Sequence, residues 1–265
     1  MNPLPALVAL AGAAALVTTA PMASASSERF CVELDGAWDG TNCTASVRSN
    51  RGAEMTISLA LPAELSDSPA FAAPMRDYYR NLMNAWRKTG ATMVRDSSAG
   101  AYFERHVGPG TVQSLVVREV WQPAGVQANS AYRPFVFDTA TGRRLALAGL
   151  FRPGVDPLDV IAAAARPLLP PVLDAAPPPH QPGTYPFTVG EWEPGPDGLG
   201  FTGGYRAFAL SGDALILYMP DAPMAHQETI PRDRFVWSMD GGTVIVEVPL
   251  VELSESLRPE YGGRA

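Results

Sequence analysis

The three histidines of the chain are its side chains best suited to proton transfer near neutral pH, and none stands in a recognisable catalytic motif. His106 falls at the end of a predicted strand, His180 in a proline tract and His226 in a predicted loop. The G-x-S-x-G turn of α/β-hydrolase esterases is absent from the sequence. The best hydrolase candidate is therefore Ser211 with Asp213 and His226, and ordinary turn roles for these residues are the simpler interpretation.

No pattern of metal ligands stands out either. The zinc motifs H-E-x-x-H and H-x-x-E-H are absent. Asp35, Asp39 and Asn42, with Gly36 and Gly40, have the residue types of a calcium loop, but they miss its spacing and its terminal glutamate. Turn formation explains them better. We therefore expect no catalytic residue, no metal and no cofactor.

The first 25 residues have the composition of a secretory signal peptide. They contain no charged side chain, and the apolar run from Ala6 to Val17 is shorter than the roughly 20 residues that span a bilayer. Ala23-Ser24-Ala25 fits the small-x-small rule of signal peptidase. We expect cleavage after Ala25, no transmembrane anchor, and a secreted protein that is extracellular or associated with the cell wall. A buried alanine-rich helix is the alternative.

Cys31 and Cys43 are the two cysteines of the chain. Because export leads to an oxidising compartment, a disulfide between them is the natural expectation. Closing so short a loop contributes about 3 kcal/mol in the chain-entropy model. A redox C-x-x-C motif or a zinc site needs another spacing or more ligands. The bond would fasten the N-terminus of the mature protein.

The charge balance argues against nucleic acid as a partner. The chain has 20 basic and 27 acidic residues, a formal net charge of −7, and Lys88 is its single lysine. Affinity for a phosphate backbone depends on Lys and Arg that release counterions. The length predicts one compact domain, residues 26–258, followed by a flexible tail at 259–265, and we expect a monomer.

Hydrophobic periodicity predicts several strands and hairpins, two main helices and a long proline-rich loop, the elements of an α+β fold. Alternation predicts a strand at 53–61, and Pro74 begins an amphipathic helix at 74–88. Asp156-Pro157 begins the second helix, which Pro167 and Pro170 limit. The other expected elements are strands at 101–107, 111–121 and 131–138, hairpins at 131–147 and 205–219, a strand at 243–248 and a short helix at 250–257.

Aromatic side chains in the proline-rich segment 167–200 suggest a binding surface. An apolar platform with acidic flanks would suit a basic protein such as lysozyme or a sugar ring stacked on indole. The alternative is that these rings hold the proline loop against the sheet. Trp38 invites the same two interpretations. The residues of this candidate platform are Tyr185, Phe187, Glu191, Trp192 and Glu193.

An ordered set of short segments resembles the secreted mycobacterial immunogenic antigen family. The C-terminal half of that family, here about 150–258, is similar to the extracellular RsiV-like domain, found also on an anti-sigma factor that senses lysozyme by binding it. The matching segments are Phe30 to Gly36 with Cys43, Thr56 to Leu59, Tyr132 to Phe135 ahead of Leu150-Phe151, Asp156 to Leu158, Tyr205 to Leu210, and Leu215 to Tyr218.

The resemblance implies export and an α+β fold with a mixed, mainly antiparallel twisted sheet on which two main helices pack. It implies no single activity, since the family includes a lysozyme receptor and proposed esterases. The segment from Pro220 to His226 replaces the family's usual aromatic and glycine-containing turn, so we transfer only the cysteine pair. The sequence thus favours a secreted, non-enzymatic protein that binds a lysozyme-like protein or an envelope glycan. A cell-envelope esterase with an unrecognised Ser/His site is the alternative.

Overall fold

A computed structural model of the chain describes a large part of its length. The predicted signal peptide lies almost entirely outside the described residues, as does most of the segment 167–200. The signal peptide and its cleavage after Ala25 therefore stay predictions. The described residues are 22–63, 65, 68–125, 128–175, 192, 194, 203–220, 237–238 and 243–265.

Within the described residues, eight strands form the larger of two sheets. Seven follow the order β1-β2-β3-β4-β5-β6-β10, and β7 pairs with β6 beside this path. All pairs are antiparallel except β3 and β4, which run parallel. The strands are β1 (Ala37–Trp38), β2 (Asn42–Arg48), β3 (Glu54–Ala60), β4 (Ser97–Val107), β5 (Val112–Pro123), β6 (Asn129–Asp138), β7 (Arg143–Arg144) and β10 (Trp237–Ser238).

Helix α2 (Pro69–Gly90) connects β3 to β4 and covers one face of the larger sheet. Parallel neighbours need such a crossover connection. The strand predicted at 53–61 is confirmed as β3, and its Met55, Ile57 and Leu59 point into the core beneath the helix. The helix contributes Phe71, Met75, Tyr79, Leu82, Met83 and Trp86 to the same core.

The predicted start of this helix at Pro74 was wrong. Helix α2 begins at Pro69, with Ser68 as its N-cap residue, and Pro74 lies inside it. Pro69 has the fixed φ that suits a first helical turn. The buried side chain of Phe71 already belongs to the apolar face of the helix. Burial of that face outweighs the hydrogen bond that Pro74 cannot donate.

A second, smaller sheet is antiparallel and has the strand order β11-β9-β8. It packs on the face of the larger sheet opposite α2, where β8 contacts β4, β5 and β6. Its three strands confirm the predicted hairpin and last strand. Helices α3 and α4 pack against β11. The new elements are β8 (Phe208–Leu210), β9 (Ala214–Pro220), β11 (Thr243–Pro249), α3 (Pro157–Ala165), α4 (Leu169–Ala175) and α5 (Leu250–Leu253).

Helix α3 ends at Ala165, before Pro167, as the prolines predict, and a 3₁₀ turn and a separate helix follow it. Pro167 lies in a 3₁₀ turn, Arg166–Leu168, and Pro170 lies in the first turn of α4, where its missing N–H would have no helical partner. The helix predicted at 250–257 covers only Leu250–Leu253. Beyond it, Pro259–Tyr261 forms a 3₁₀ turn with Tyr261 buried, in place of the loose tail that the sequence predicts.

The predicted disulfide is confirmed. Cys31 of helix α1 (Met22–Glu33) bonds to Cys43 of β2, and both residues are fully buried. Gly36 lies so close that a Cβ added there would collide with both sulfur atoms. The predicted cleavage site after Ala25 falls within the first turn of α1. Taken together, the two sheets and the few helices confirm the α+β prediction.

Candidate functional site

The structure places Trp192 inside the protein. Its side chain is 0% exposed and packs in the core between the smaller sheet and helices α3 and α4. The indole is therefore not available to stack on a ligand here. Its placement corresponds to the alternative in which the ring holds its segment against a sheet. The other platform residues, Tyr185, Phe187, Glu191 and Glu193, lie outside the described residues, and so does His180.

Trp38 lies on β1, at the edge of the larger sheet. Its ring is half-buried and packs against the core that contains the disulfide. The strand that carries it is two residues long and pairs only through Ala37 and Trp38. This contact gives Trp38 a packing role, and a binding role for it stays a prediction.

Ser211 and Asp213 form the turn between β8 and β9. The Ser211 hydroxyl donates to Asp213 Oδ1 at 2.9 Å and accepts the backbone N–H of Ala214 at 3.0 Å. Both contacts are local and close the turn. His226, the base of the candidate hydrolase site, lies outside the described residues. The geometry accounts for Ser211 and Asp213 as turn residues.

The smaller sheet leaves part of the larger sheet uncovered, and we call this region, on β2, β3, the first half of β4 and the end of β5, the open face. Its most regular feature is a row of four polar, exposed side chains, one on each strand. Cross-strand pairing aligns Ser46 with Thr56, Thr56 with Ser98, and Ser98 with Gln122. With strands about 4.8 Å apart, the row extends about 14 Å.

An exposed aromatic ring lies next to this row. Tyr102 of β4 is 52% exposed, and its ring lies along the sheet over Gly100. A Cβ added at Gly100 would come within 2.8 Å of the Tyr102 Oη and 2.9 Å of its Cε2. The phenol end of the ring thus occupies the space that a side chain at position 100 would fill. About half of the Tyr102 surface is accessible to solvent.

Beyond Tyr102 the open face ends at a hydrogen-bonded cluster where the two sheets meet. The Oη of Tyr218, on β9, donates a hydrogen bond to Glu104 Oε2 at 2.8 Å. The Tyr218 Oη also lies 3.0 Å from His106 Nε2. A phenol has one hydrogen. Because Glu104 accepts that hydrogen, the contact with His106 requires a hydrogen on Nε2. The Tyr132 ring stacks on Tyr218 at a centroid distance of 5.0 Å.

The environment of Tyr218 keeps its hydroxyl neutral. Burial and the nearby Glu104 carboxylate raise the pKa of Tyr218 well above its ordinary value. Its side chain is 1% exposed, whereas the side chain of Glu104 is 52% exposed. A buried, protonated phenol is a hydrogen-bond donor and a poor nucleophile. The cluster therefore holds the Glu104 carboxylate in place at the rim of the open face.

The opposite end of the open face is a shallow groove of about 510 Å³, lined by polar side chains that include Glu54, Asp96 and Gln122. Asp96 Oδ1 accepts the backbone N–H of Glu54 at 2.8 Å, and Glu54 Oε1 accepts from Ser46 Oγ at 2.6 Å. These bonds fix the carboxylates at the ends of β3 and β4. The open face thus has an acidic residue at both ends.

Within the described residues, no group of three or more His, Cys, Asp or Glu side chains could hold a metal ion. None of the described helices is long and apolar enough to cross a membrane.

Sequence reasoning missed the open face. Tyr102, Glu104 and His106 alternate along one strand, so the period of two was a usable sign that they share a face. The predicted strand began at 101, however, and left out Ser98 and Gly100. Small residues such as these have weak strand preference. Their strand conformation comes from pairing with β3 and β5.

Comparison with known proteins finds matches among solved structures at low sequence identity. No family model and no curated protein matches the chain. A DUF3298 family protein from Pseudomonas aeruginosa PAO1 matches with a TM-score of 0.47 and 11% identity, over 84% of this chain and 96% of that one. A DUF3298 family member from Bacteroides fragilis gives 0.41 and 11%, over 83% and 92%. The structural neighbours thus belong to a family of unknown function, and the antigen and RsiV-like resemblance stays a proposal.

Proposed function

We propose that this chain is a secreted binding protein of the antigen and RsiV-like type, and that its open face binds an envelope glycan. The single observation that carries the glycan proposal is the exposed Tyr102 side chain, whose phenol end lies over Gly100. An exposed ring supported from below offers a flat apolar surface. The C–H face of a sugar ring matches such a surface.

The polar row beside the ring supports the same ligand. Thr56, Ser98 and Gln122 provide two hydroxyl groups and one amide, which donate and accept hydrogen bonds, and Ser46, whose hydrogen goes to Glu54, provides an acceptor. Sugar hydroxyls also donate and accept, so they pair with such groups in either sense. A protein ligand would instead favour a more apolar patch at its centre.

The charge of the open face is mixed. The carboxylates of Glu54, Asp96 and Glu104 lie at its ends, whereas Arg48 is paired with Glu54 and Arg118 with Tyr102 on neighbouring strands. A neutral glycan, such as one of N-acetylhexosamine units, needs no charge partner on a face that carries both signs. The disulfide between Cys31 and Cys43 supports a protein that works in an oxidising compartment.

Calorimetric titration of the purified protein with chitotetraose tests this proposal. We expect binding that weakens about tenfold, equivalent to about 1.4 kcal/mol, in Tyr102→Ala and is retained in Tyr102→Phe, which keeps the ring. Val251→Ala, which truncates another exposed apolar side chain on α5, is the control and should bind like the wild type.

A separate titration with lysozyme distinguishes the other partner class. Binding of lysozyme without binding of chitotetraose would overturn the glycan proposal and favour a protein partner. Equal affinity of wild type and Tyr102→Ala for chitotetraose would remove the open face as the binding site.

A further inference from the structure

A second cavity lies away from the open face, where β6 and β7 meet β8. It has a volume of about 360 Å³, and Pro134, Val136, Leu145, Leu147 and Phe208 form its apolar wall. Ligand pockets of globular proteins begin at about 300 Å³. A water molecule in the liquid occupies roughly 30 Å³. If each non-hydrogen atom of a ligand occupies about as much, the cavity holds about twelve such atoms.

Two arginines line the same cavity. Both Arg144 and Arg206 contribute to its lining, and both residues are exposed overall. Arg144 is held in position by two contacts. Its Nη2 donates to the backbone carbonyl of Pro134 at 2.9 Å, and its guanidinium lies 5.4 Å from the centre of the Phe135 ring.

The electrostatics at Arg144 suit an anion. A guanidinium has five N–H donors, and the carbonyl of Pro134 accepts from only one nitrogen. Among the described residues, Arg144 makes no ion pair with a carboxylate. Partial burial and the nearby Arg133 guanidinium lower the pKa of Arg144. An anionic group beside Arg144 would offset the repulsion between the guanidinium groups of Arg144 and Arg133.

We propose that this cavity binds an amphipathic anion: a short apolar chain in the cavity with a carboxylate or phosphate headgroup on Arg144 at the mouth. A guanidinium can donate two parallel hydrogen bonds to either headgroup. A straight-chain acid of about ten carbons has about as many non-hydrogen atoms as the cavity can hold. This site is independent of the glycan site proposed above.

Calorimetric titration of the purified protein with decanoate, decyl phosphate and decanol tests the proposal. We expect at least one of the two anions to bind and decanol, which has the same chain without the charge, to bind at least tenfold more weakly. The stronger anion identifies the headgroup. Binding should move the methyl NMR signals of Val136, Leu145 and Leu147, which line the cavity.

Two variants at exposed positions make the test specific. Arg144→Gln should weaken binding of the anion about tenfold, because a hydrogen-bonded charge pair is replaced by a neutral amide. Ala146→Phe should block the cavity, since Ala146 lines it and is exposed. If Ala146→Phe fails to fold, Arg144→Gln and the methyl signals still decide.

Three results would overturn the proposal. The first is that neither anion binds, and the second is that decanol binds as tightly as the anions. The third is that an anion binds but the NMR signals that move belong to residues outside the cavity.

Discussion

The hydroxyl of Tyr218 donates a 2.8 Å hydrogen bond to Glu104 Oε2, and this bond joins the smaller sheet to the larger one. The two residues are 114 positions apart in the chain. The Tyr218 ring is buried while the carboxylate is half-exposed, so the bond fixes a charged group at the rim of the open face. A tertiary contact thus determines where an acidic residue of the candidate site stands.

Replacing Tyr218 by Phe should lower the free energy of unfolding by about 1 kcal/mol. The change removes the hydrogen bond to Glu104 and the contact with His106, and it keeps the ring that stacks on Tyr132. Urea denaturation followed by circular dichroism measures the difference. Tyr261→Phe, which loses a hydrogen bond from the exposed Arg143, is the control and should cost less. A larger loss in that control would contradict the prediction.

The protein should lose stability in alkaline solution because two tyrosines, the buried Tyr218 and the partly buried Tyr78, resist ionisation. Burial and the carboxylates of Glu119 and Glu104 raise the pKa of Tyr78 and of Tyr218, respectively, above the ordinary value of about 10. The folded chain therefore keeps protons that the unfolded chain releases. The resulting stability is fully present below about pH 10 and falls as the pH rises further.

Urea denaturation at about pH 8 and at about pH 11 measures this loss. Tyr78→Phe and Tyr218→Phe should each reduce the dependence on pH, and the double variant should reduce it most. A double variant with the same alkaline loss as the wild type would show that other groups cause it.

Features set by neighbouring residues could be predicted from the sequence. The alternation of β3, the N-cap of Asp156, whose side chain accepts the N–H of Leu158, and the turn at Ser211 each depend on a few adjacent side chains. The disulfide followed from the presence of only two cysteines. Trp192, which the sequence predicts in a ligand platform, is a core residue. A large aromatic side chain gives the same local sequence signal in either role.

The candidate site could not be predicted because pairing between distant strands creates it. The polar row depends on the parallel register of Thr56 with Ser98, which α2 separates in sequence. The accessible ring of Tyr102 depends on Gly100 being in a strand, and glycine gives no local strand signal. No spacing in the sequence identifies the pairing of Thr56 with Ser98 or the contact of Tyr102 with Gly100.

Removing the disulfide should cost about 3 kcal/mol of stability by the chain-entropy model. The bond joins α1 to β2, with 12 residues of sequence separation. Thermal unfolding with and without a thiol reductant measures the effect. Cys31→Ser/Cys43→Ser is the control: it should match the reduced wild type and be insensitive to the reductant. Sensitivity of this variant would show that the reductant acts elsewhere.

Gly100→Ala should disturb Tyr102 before it disturbs the strand. An added methyl group collides with the ring at 2.8–3.0 Å, so the ring must move off the sheet. We expect Gly100→Ala to weaken chitotetraose binding nearly as much as Tyr102→Ala does. In the Tyr102→Ala background the same change has no ring to displace, and it should have little further effect on binding.

The four proteins, namely the wild type, the two single variants and the double variant, form a double-mutant cycle that isolates this contact. Calorimetric titration gives the binding arm, and urea denaturation gives the stability arm. Strong non-additivity in binding is the expected result. Additive effects would mean that Gly100 acts through the strand itself, and the ring would then lose its place as the centre of the proposed site.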